Sequence, residues 1–222
     1  MNKLVKSPYV KIILIYVLTQ LFTILFPTIL FFFLTENVVL EAAIYSQIIA
    51  FVVGSIWMFI VNHRSTFNNS LENTPPVPKK NIILWGIAGM FLAYIGQYLA
   101  IFIETFLLNI PIGSQNTAGL VDIVNNYPLF LLLIAIFGPI MEEFVFRKVI
   151  FGYLFDITGG IGAAVISSLI FAFIHFDGHY LLYSVMGFVF CYLYWKTKSI
   201  ATPIIAHALM NATVTVANLL LY

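Results

Sequence analysis

The stretch GPIMEEFVFR, residues 138–147, places two adjacent glutamates and an arginine inside one of the most apolar parts of the chain. Ionisable groups within a bilayer cost roughly 2.5–3.5 kcal/mol each on insertion scales, so they are candidates for function by default. Glu143 and Arg147 are four residues apart, with the acid toward the N-terminus, which favours an ion pair on one helix face. Glu142 is rotated by about 100° from Glu143 and points elsewhere. We therefore predict a structural role for Glu143 and Arg147 and a separate role for Glu142.

The surrounding sequence is that of an integral membrane protein. Of its 222 residues, 62% are hydrophobic and 9% are charged, whereas an ordinary soluble domain has about 25% charged residues. A helix needs about 20 apolar residues to cross a bilayer, so we expect a single transmembrane domain, 1–222. The formal net charge of +1 offers no basic surface, and we exclude nucleic acid as a partner. The single Cys191 can form neither an internal disulfide nor a thiolate metal site.

The predicted fold is an all-α polytopic membrane protein, a bundle of about seven transmembrane helices. Apolar runs separated by clusters of Pro, Gly and Asn give the spans 12–34, 42–62, 81–108, 128–155, 160–176, 179–195 and 200–222. The polar segments 68–80 and 109–127 are the main connections, and an eighth span would lie in 109–127 or in the long fourth run. The chain has no internal repeat of the kind found in many transporters, which disfavours a transporter.

The basic residues indicate the orientation, because Lys and Arg concentrate in cytoplasmic loops. With a cytoplasmic N-terminus, all 10 Lys and Arg residues fall on the cytoplasmic side of the seven-span arrangement. The connections 35–41 and 109–127, on the opposite side, contain none. The first apolar run lacks a small-residue cleavage site, so we expect a retained helix and not a signal peptide. We therefore predict a cytoplasmic N-terminus.

The partner of Glu142 is predicted from the turn between spans four and five. The midpoint between residues 142 and 175 falls at Thr158–Gly159, so an antiparallel helix pair that turns there places Glu142 and His175 at the same height. Span five also carries small residues that let helix backbones approach closely. These residues, at four-residue spacing on the face of His175, are Gly160, Ala164, Ser168 and Ala172.

The last span adds polar side chains to the same region. His207 and Asn211 are four residues apart and point in one direction. Pro139 removes a backbone donor in span four and frees the carbonyl of Ala135, which is tolerated where backbone lines a cavity. We therefore expect the late helices to form one polar catalytic cavity, lined by Glu142, His175, His207 and Asn211.

Four further polar residues are predicted to have ordinary structural or interfacial roles. Glu104 lies near the end of span three and is expected to reach the lipid headgroups. His179 flanks a predicted loop and is expected at the interface. Gln47 and Gln97 are expected to form hydrogen bonds between helices, which is the usual role of amides in a membrane bundle.

The cavity residues suit hydrolysis of a peptide bond inside the membrane. A carboxylate and an imidazole can hold a water molecule and take its proton, and His and Asn donors can stabilise the resulting oxyanion. The sequence has no HExxH pattern and no recognisable Ser or Cys nucleophile. The alternative is Zn²⁺ bound by Glu142, His175 and His207. Asn211 would be a poor fourth ligand, so we favour a site without metal.

Three motifs together are similar to those of a known family. EEFVFR has the form EExxxR, FAFIH contains FxxxH at Phe171–His175, and HALMN has the form HxxxN, in this order on successive late helices. Over residues 128–215 the chain resembles the CPBP (Abi) intramembrane proteases, which are related to the type II CAAX prenyl endopeptidases. The resemblance implies water activation and oxyanion stabilisation by Glu142, His175, His207 and Asn211, with structural support from Glu143, Arg147 and Phe171.

The resemblance also implies a class of substrate. Members of the family cleave membrane-associated peptides or proteins, in bacteriocin or signalling-peptide maturation or in self-immunity, and the partners we expect are such a substrate and the lipid bilayer. The short loops and simple topology favour a bacterial cell membrane. Bacteria generally lack prenylated proteins, which weakens a CAAX substrate. A zinc-dependent CAAX-type prenyl protease and a non-catalytic immunity or scaffold protein are the alternatives.

Overall fold

The computed structural model describes residues 7–67 and 69–221, and every regular element in this part of the chain is helical. The all-α prediction is therefore confirmed. Helices occupy all seven predicted span positions, with shifted ends. They are α1 (Pro8–Leu30), α2 (Glu36–Arg64), α3 (Lys79–Phe106), α4 (Gln115–Asn126), α5 (residues 130–158), α6 (residues 160–173), α7 (Tyr180–Thr197) and α8 (Ala201–Leu221).

Five helical stretches are long and apolar enough to cross a membrane. They are α1, α2, α3, α8 and the run Phe130–Phe173, which contains both α5 and α6. The helix α4 has 12 residues and is only about 18 Å long at 1.5 Å per residue, too short for a hydrocarbon core of about 30 Å. The chain is an integral membrane protein, and the number of seven crossings stays a prediction.

The helix α5 contains two π-helical segments, residues 133–137 and 144–151. Such segments occur frequently at functional sites. The Gly138 N–H donates to the Leu133 carbonyl, five residues back. In this register the missing N–H of Pro139 frees the carbonyl of Ile134, and the prediction that it frees Ala135 was wrong by one residue. Asn211 of α8 satisfies this carbonyl, since its Nδ2 donates to the Ile134 oxygen at 3.2 Å.

The helices α5 and α6 form an antiparallel hairpin that turns at Gly159, as predicted. Gly159 has φ 73° and ψ 166°, a backbone conformation that residues other than glycine rarely adopt. The rings of Phe146 on α5 and Phe171 on α6 lie 5.2 Å apart, and Ser167 donates to the Phe146 carbonyl at 2.7 Å. Phe146 lies 13 residues before Gly159 and Phe171 lies 12 residues after it, so their midpoint is Thr158–Gly159, as for residues 142 and 175. The hairpin register therefore places residues 142 and 175 at corresponding heights.

The small residues of α6 pack against α7. Ala164, Ser168 and Ala172 are buried. A Cβ added to Gly187 of α7 would lie 2.9 Å from the Cα of Ser168, so the two backbones approach too closely for a larger residue. Gly160, the first member of the predicted stripe, faces Phe155 at the turn instead.

Candidate active site

A fully buried ion pair forms the base of the site. Glu143 Oε1 and Arg147 Nη1 are 3.1 Å apart, and both side chains are 0% exposed, so the ion pair predicted from the four-residue spacing is present. The Nη1 group is not aligned for a hydrogen bond to the carboxylate, and Arg147 Nη2 donates to the Gly187 carbonyl at 3.4 Å. The guanidinium carbon lies 4.4 Å from the centre of the Phe171 ring, a cation–π contact. Arg147 thus joins α5 to α6 and α7.

His207 connects the ion pair to the cavity. Its Nδ1 lies 2.8 Å from Glu143 Oε1, and its Nε2 lies 3.7 Å from Glu142 Oε2. A carboxylate at Nδ1 fixes the ring orientation and keeps a proton on that nitrogen, so the Nε2 edge is the one presented to Glu142. The ring also stacks on Phe190, with centroids 4.7 Å apart. Glu143 therefore contacts both Arg147 and His207, whereas the sequence spacing predicted only the first contact.

The two adjacent glutamates point in different directions, as predicted. The side chain of Glu143 is 0% exposed, whereas that of Glu142 is 23% exposed and lines the cavity. The imidazole that forms an ion-pair contact with Glu142 in the described part of the chain is His207. His175 lines the same cavity without such a contact, so the prediction that His175 is the direct partner of Glu142 was incomplete.

His175 is held by a carbonyl and by aromatic rings. Its Nδ1 donates to the Phe171 carbonyl at 2.7 Å, which leaves Nε2 as an acceptor in the neutral ring. The ring stacks on Tyr183 with centroids 3.9 Å apart. The Tyr183 hydroxyl donates to Asp177 Oδ2 at 3.0 Å. His175 lies beyond the end of α6, so its orientation depends on these contacts and not on the helix.

Glu142, His175, His207 and Asn211 line one open cavity of about 350 Å³. This volume lies within the range of ordinary ligand sites. The four side chains come from α5, from the end of α6 and from α8. The remaining walls come from α1, α2, α3, α7 and the start of α4. Glu143, Arg147 and Phe171 lie behind the lining and contact it through His207 and His175.

The side chains of the cavity, as arranged, do not form a three-ligand metal centre. Within residues 7–67 and 69–221, no group of three or more His, Cys, Asp or Glu side chains is placed to hold a metal ion. The Nδ1 atoms of His207 and His175 are engaged by Glu143 and by the Phe171 carbonyl. These contacts leave the Nε2 atoms of both rings available, so the choice between Zn²⁺ bound by Glu142, His175 and His207 and a site without metal stays a prediction.

A second buried carboxylate–imidazole pair lies where α3 meets the start of α7. Glu104 is 1% exposed, and its Oε2 is 2.8 Å from His179 Nδ1. Its Oε1 accepts from the backbone N–H groups of Leu181 and Leu182 at 2.8 and 3.1 Å. His179 Nε2 donates to the Gly113 carbonyl at 3.2 Å. The prediction that Glu104 reaches the headgroups was wrong, because this pair is buried and caps α7. That His179 lies at the depth of the interface stays a prediction.

Comparison with known proteins supplies the family. A family model described as "Type II CAAX prenyl endopeptidase Rce1-like" matches residues 124–213, the region that carries all three motifs. The chain is 36% identical to "Putative membrane peptidase YdiL" of Bacillus subtilis, over 96% of this chain and 90% of that protein. It is also 36% identical to "Membrane-embedded CAAX protease MroQ" of Staphylococcus aureus, over 94% of this chain and 87% of that protein. No solved structure matches.

A third relative matches a shorter part of the chain. The chain is 30% identical to "UPF0177 protein YxdF" of Lactococcus lactis, over 58% of this chain and 73% of that protein. The first two relatives cover nearly the whole chain, including α1 to α3, which lie outside the match to the family model. The chain belongs to the Rce1-like CAAX protease family, and it is a membrane protease of the CAAX type.

Proposed function

We propose that this protein is an intramembrane endopeptidase that hydrolyses a peptide bond of a membrane-associated peptide or protein with a water molecule activated at Glu142. The observation that carries the proposal is the meeting of Glu142, His175, His207 and Asn211 at one cavity. Glu142 is the only carboxylate among the described lining residues. It is therefore the group that can accept a proton from water there.

Proton transfer begins at Glu142. A water molecule held between the Glu142 carboxylate and the free Nε2 of His175 loses a proton to Glu142, and its oxygen bonds to the carbonyl carbon of the substrate. The carbonyl oxygen becomes an oxyanion. As the C–N bond breaks, Glu142 returns the proton to the departing nitrogen, which leaves a free amine and a carboxylic acid.

Stabilisation of the oxyanion is assigned to α8. Asn211 has two amide N–H groups, and only one is used by the Ile134 carbonyl. His207 donates through Nε2 when that nitrogen is protonated, and the Glu143 carboxylate at Nδ1 stabilises the positive ring that results. Donors placed in advance around a developing negative charge are among the largest contributions to catalysis.

The membrane orientation is part of the proposal, with seven crossings in a single domain, 1–222, and a cytoplasmic N-terminus. Lys148 Nζ lies 2.7 Å from Glu72 Oε2, which joins the loop after α2 to α5. The Val77 N–H donates to the Thr197 carbonyl at 3.0 Å, which joins the same loop to the end of α7. These contacts bring together Lys148, the loop after α2 and the end of α7, where Lys196 and Lys198 flank Thr197. Lys and Arg concentrate on the cytoplasmic side of membrane proteins, which supports the proposed orientation.

The proposed substrate is a membrane-associated peptide of a bacterial cell, in signalling-peptide or bacteriocin maturation or in immunity. The relatives above are bacterial proteins, and bacteria generally lack the prenylated proteins that a CAAX substrate requires. A catalytic role is preferred over a scaffold role because the cavity keeps a partly exposed carboxylate beside an oriented imidazole.

The test is peptide cleavage by Glu142→Ala and His175→Ala in detergent micelles. A library of fluorescence-quenched octapeptides with uncharged side chains serves as substrate, and thermal unfolding monitors the fold. We expect both variants to lose cleavage while they unfold near the wild-type temperature. Glu41→Ala, which removes an exposed carboxylate of α2, is the matched control and should cleave normally. Unchanged cleavage by both cavity variants would contradict the proposal.

Metal analysis of the purified active protein separates the two mechanisms. The proposed mechanism predicts cleavage that a chelator does not reduce. Stoichiometric zinc, with activity lost to the chelator and restored by Zn²⁺, would contradict the glutamate mechanism and would leave the protease assignment intact.

A further inference from the structure

Three glutamine side chains face the cavity from helices that the family model does not cover. They are Gln20 of α1, Gln47 of α2 and Gln97 of α3, and all three line the cavity. The match to the family model begins only at residue 124. We refer to Gln20, Gln47 and Gln97 as the amide wall. The motif residues of the cavity therefore come from the second half of the chain, and its neutral amides come from the first half.

The amide wall offers hydrogen bonds without charge. No Lys or Arg lines the cavity within the described residues, and Glu142 is its only carboxylate there. A glutamine side chain has two N–H donors and a carbonyl acceptor, the same groups as a peptide bond. Gln20 donates to the Tyr16 hydroxyl at 3.1 Å, whereas the buried Gln97 Oε1 has no hydrogen-bond partner among the described residues. An unused buried acceptor lowers stability, and because Gln97 lines the cavity, a donor bound beside it can satisfy this oxygen.

Cleavage inside a membrane creates a need for such groups. A helical substrate hydrogen-bonds its own backbone, and its peptide bonds are shielded until a few residues unwind. Each backbone group freed in an apolar environment costs several kcal/mol unless it finds a new partner. A carboxamide can replace a lost backbone hydrogen bond as donor or acceptor, and it does so for any side chain on the substrate.

We propose that the amide wall binds the backbone of an unwound, extended substrate segment, and that Gln97 Oε1 accepts a hydrogen bond from one substrate N–H. This inference rests on the proposed hydrolysis at Glu142. The helices α5, α6 and α8 then carry the residues that hydrolyse the peptide bond, and α1, α2 and α3 carry those that keep the substrate extended. Because the wall is neutral, it recognises an extended backbone and not a charged side chain.

The first experiment separates binding from chemistry. An octapeptide that the wild type cleaves serves as substrate, and Glu142→Gln is measured with it to show whether cleavage depends on Glu142. Gln97→Met keeps the length of the side chain and removes its hydrogen bonds. We expect KM to rise roughly fivefold to tenfold, as for loss of one hydrogen bond, with kcat changed less than about twofold. Gln115→Met, at an exposed residue of α4 outside the cavity, is the matched control and should leave KM unchanged.

The second experiment tests the hydrogen bond itself. In a depsipeptide series of the same octapeptide, an ester oxygen replaces one N–H at a time, away from the scissile bond. At one position the ester should raise KM for the wild type by the factor seen for Gln97→Met, and should not raise it further in Gln97→Met. Gln47→Met enters the same cycle, so the test does not depend on one variant folding.

The outcomes distinguish this inference from the proposed function. Cleavage that persists in Glu142→Gln contradicts the proposed function. Glu142-dependent cleavage in which every ester position and every glutamine variant act additively contradicts the amide wall alone, because a glutamine that only holds helices together has no reason to couple to one substrate N–H. A wild-type KM in folded Gln97→Met and Gln47→Met also contradicts it.

Discussion

Two buried carboxylate–imidazole pairs in this molecule have the same geometry and different surroundings. In both Glu143–His207 and Glu104–His179, the imidazole Nδ1 lies 2.8 Å from a carboxylate oxygen. At Glu104 the second oxygen accepts from two backbone N–H groups, and the second nitrogen of His179 donates to a carbonyl. At Glu143 the second nitrogen of His207 faces Glu142 across 3.7 Å.

The difference shows what makes such a pair structural or reactive. A pair whose remaining atoms are all satisfied stabilises the contact between elements and has nothing left to offer a substrate. A pair with one free nitrogen on a cavity can donate or accept a proton. The positive charge that stabilises each carboxylate also differs. Arg147 forms an ion pair with Glu143, whereas the positive end of the α7 helix dipole faces Glu104.

The largest effect, a loss of stability, is expected when Glu143 of the Glu143–His207 pair loses its ion-pair partner Arg147. Arg147→Met leaves the Glu143 carboxylate buried without its cation, and removal of one member of a buried ion pair destabilises a protein by about 3–5 kcal/mol. The double variant Glu143→Gln/Arg147→Met removes both charges and should be more stable than Arg147→Met. Unfolding in detergent micelles measures both.

The control for this prediction is Lys196→Met, which removes an exposed cation of α7 and should change stability little. Wild-type stability of Arg147→Met would show that the buried pair does not support the fold.

The next effect separates the two imidazoles. His207→Leu should lower kcat about 100-fold, the size typical of losing one donor to the oxyanion. His179→Leu should lower the unfolding temperature and leave kcat near the wild-type value at temperatures where the variant is folded. Kinetics and thermal unfolding of the same preparations measure both, and equal losses of kcat in the two variants would remove the distinction between the pairs.

A smaller effect is expected at the third imidazole, His175, which has no carboxylate partner among the described residues. Tyr183→Leu removes the ring that stacks on His175 and the hydroxyl that bonds Asp177. An aromatic pair contributes about 0.5–1.5 kcal/mol, so kcat should fall roughly threefold to tenfold. Tyr183→Phe keeps the stacked ring and should lose less. If Tyr183→Phe falls as far as Tyr183→Leu, the hydroxyl and not the ring orients His175.

Local spacing predicted much of the site. The four-residue separation of Glu143 and Arg147 gave their ion pair, and the turn at Gly159 gave the register of α5 against α6. Both depend only on helix periodicity and on the position of one glycine. The same reasoning assigned the carbonyl freed by Pro139 to Ala135 and not to Ile134. It failed because a π-helical segment cannot be recognised from the periodicity of an apolar run.

Contacts between distant residues could not be read from the sequence. His207 lies 64 residues from Glu143, and His179 lies 75 residues from Glu104. The spacing of His207 and Asn211 placed both on one helix face, but it did not show the contact of His207 with Glu143, and nothing in the sequence around His179 indicated Glu104. The segment 109–127 was predicted as a connection and as one of two places for a further helix, and it contains the short helix α4.

The most direct test of the account compares Glu142→Gln with Glu104→Gln. Each change replaces a carboxylate by an amide of the same shape. Glu142 lines the cavity, whereas Glu104 belongs to the pair whose polar atoms are all hydrogen-bonded. We predict that Glu142→Gln unfolds at the wild-type temperature and loses kcat for the octapeptide by more than about 100-fold. Glu104→Gln should unfold at a lower temperature and keep kcat while folded. Retained kcat in folded Glu142→Gln, or equal loss in both variants, would contradict the assignment of the cavity as the active site.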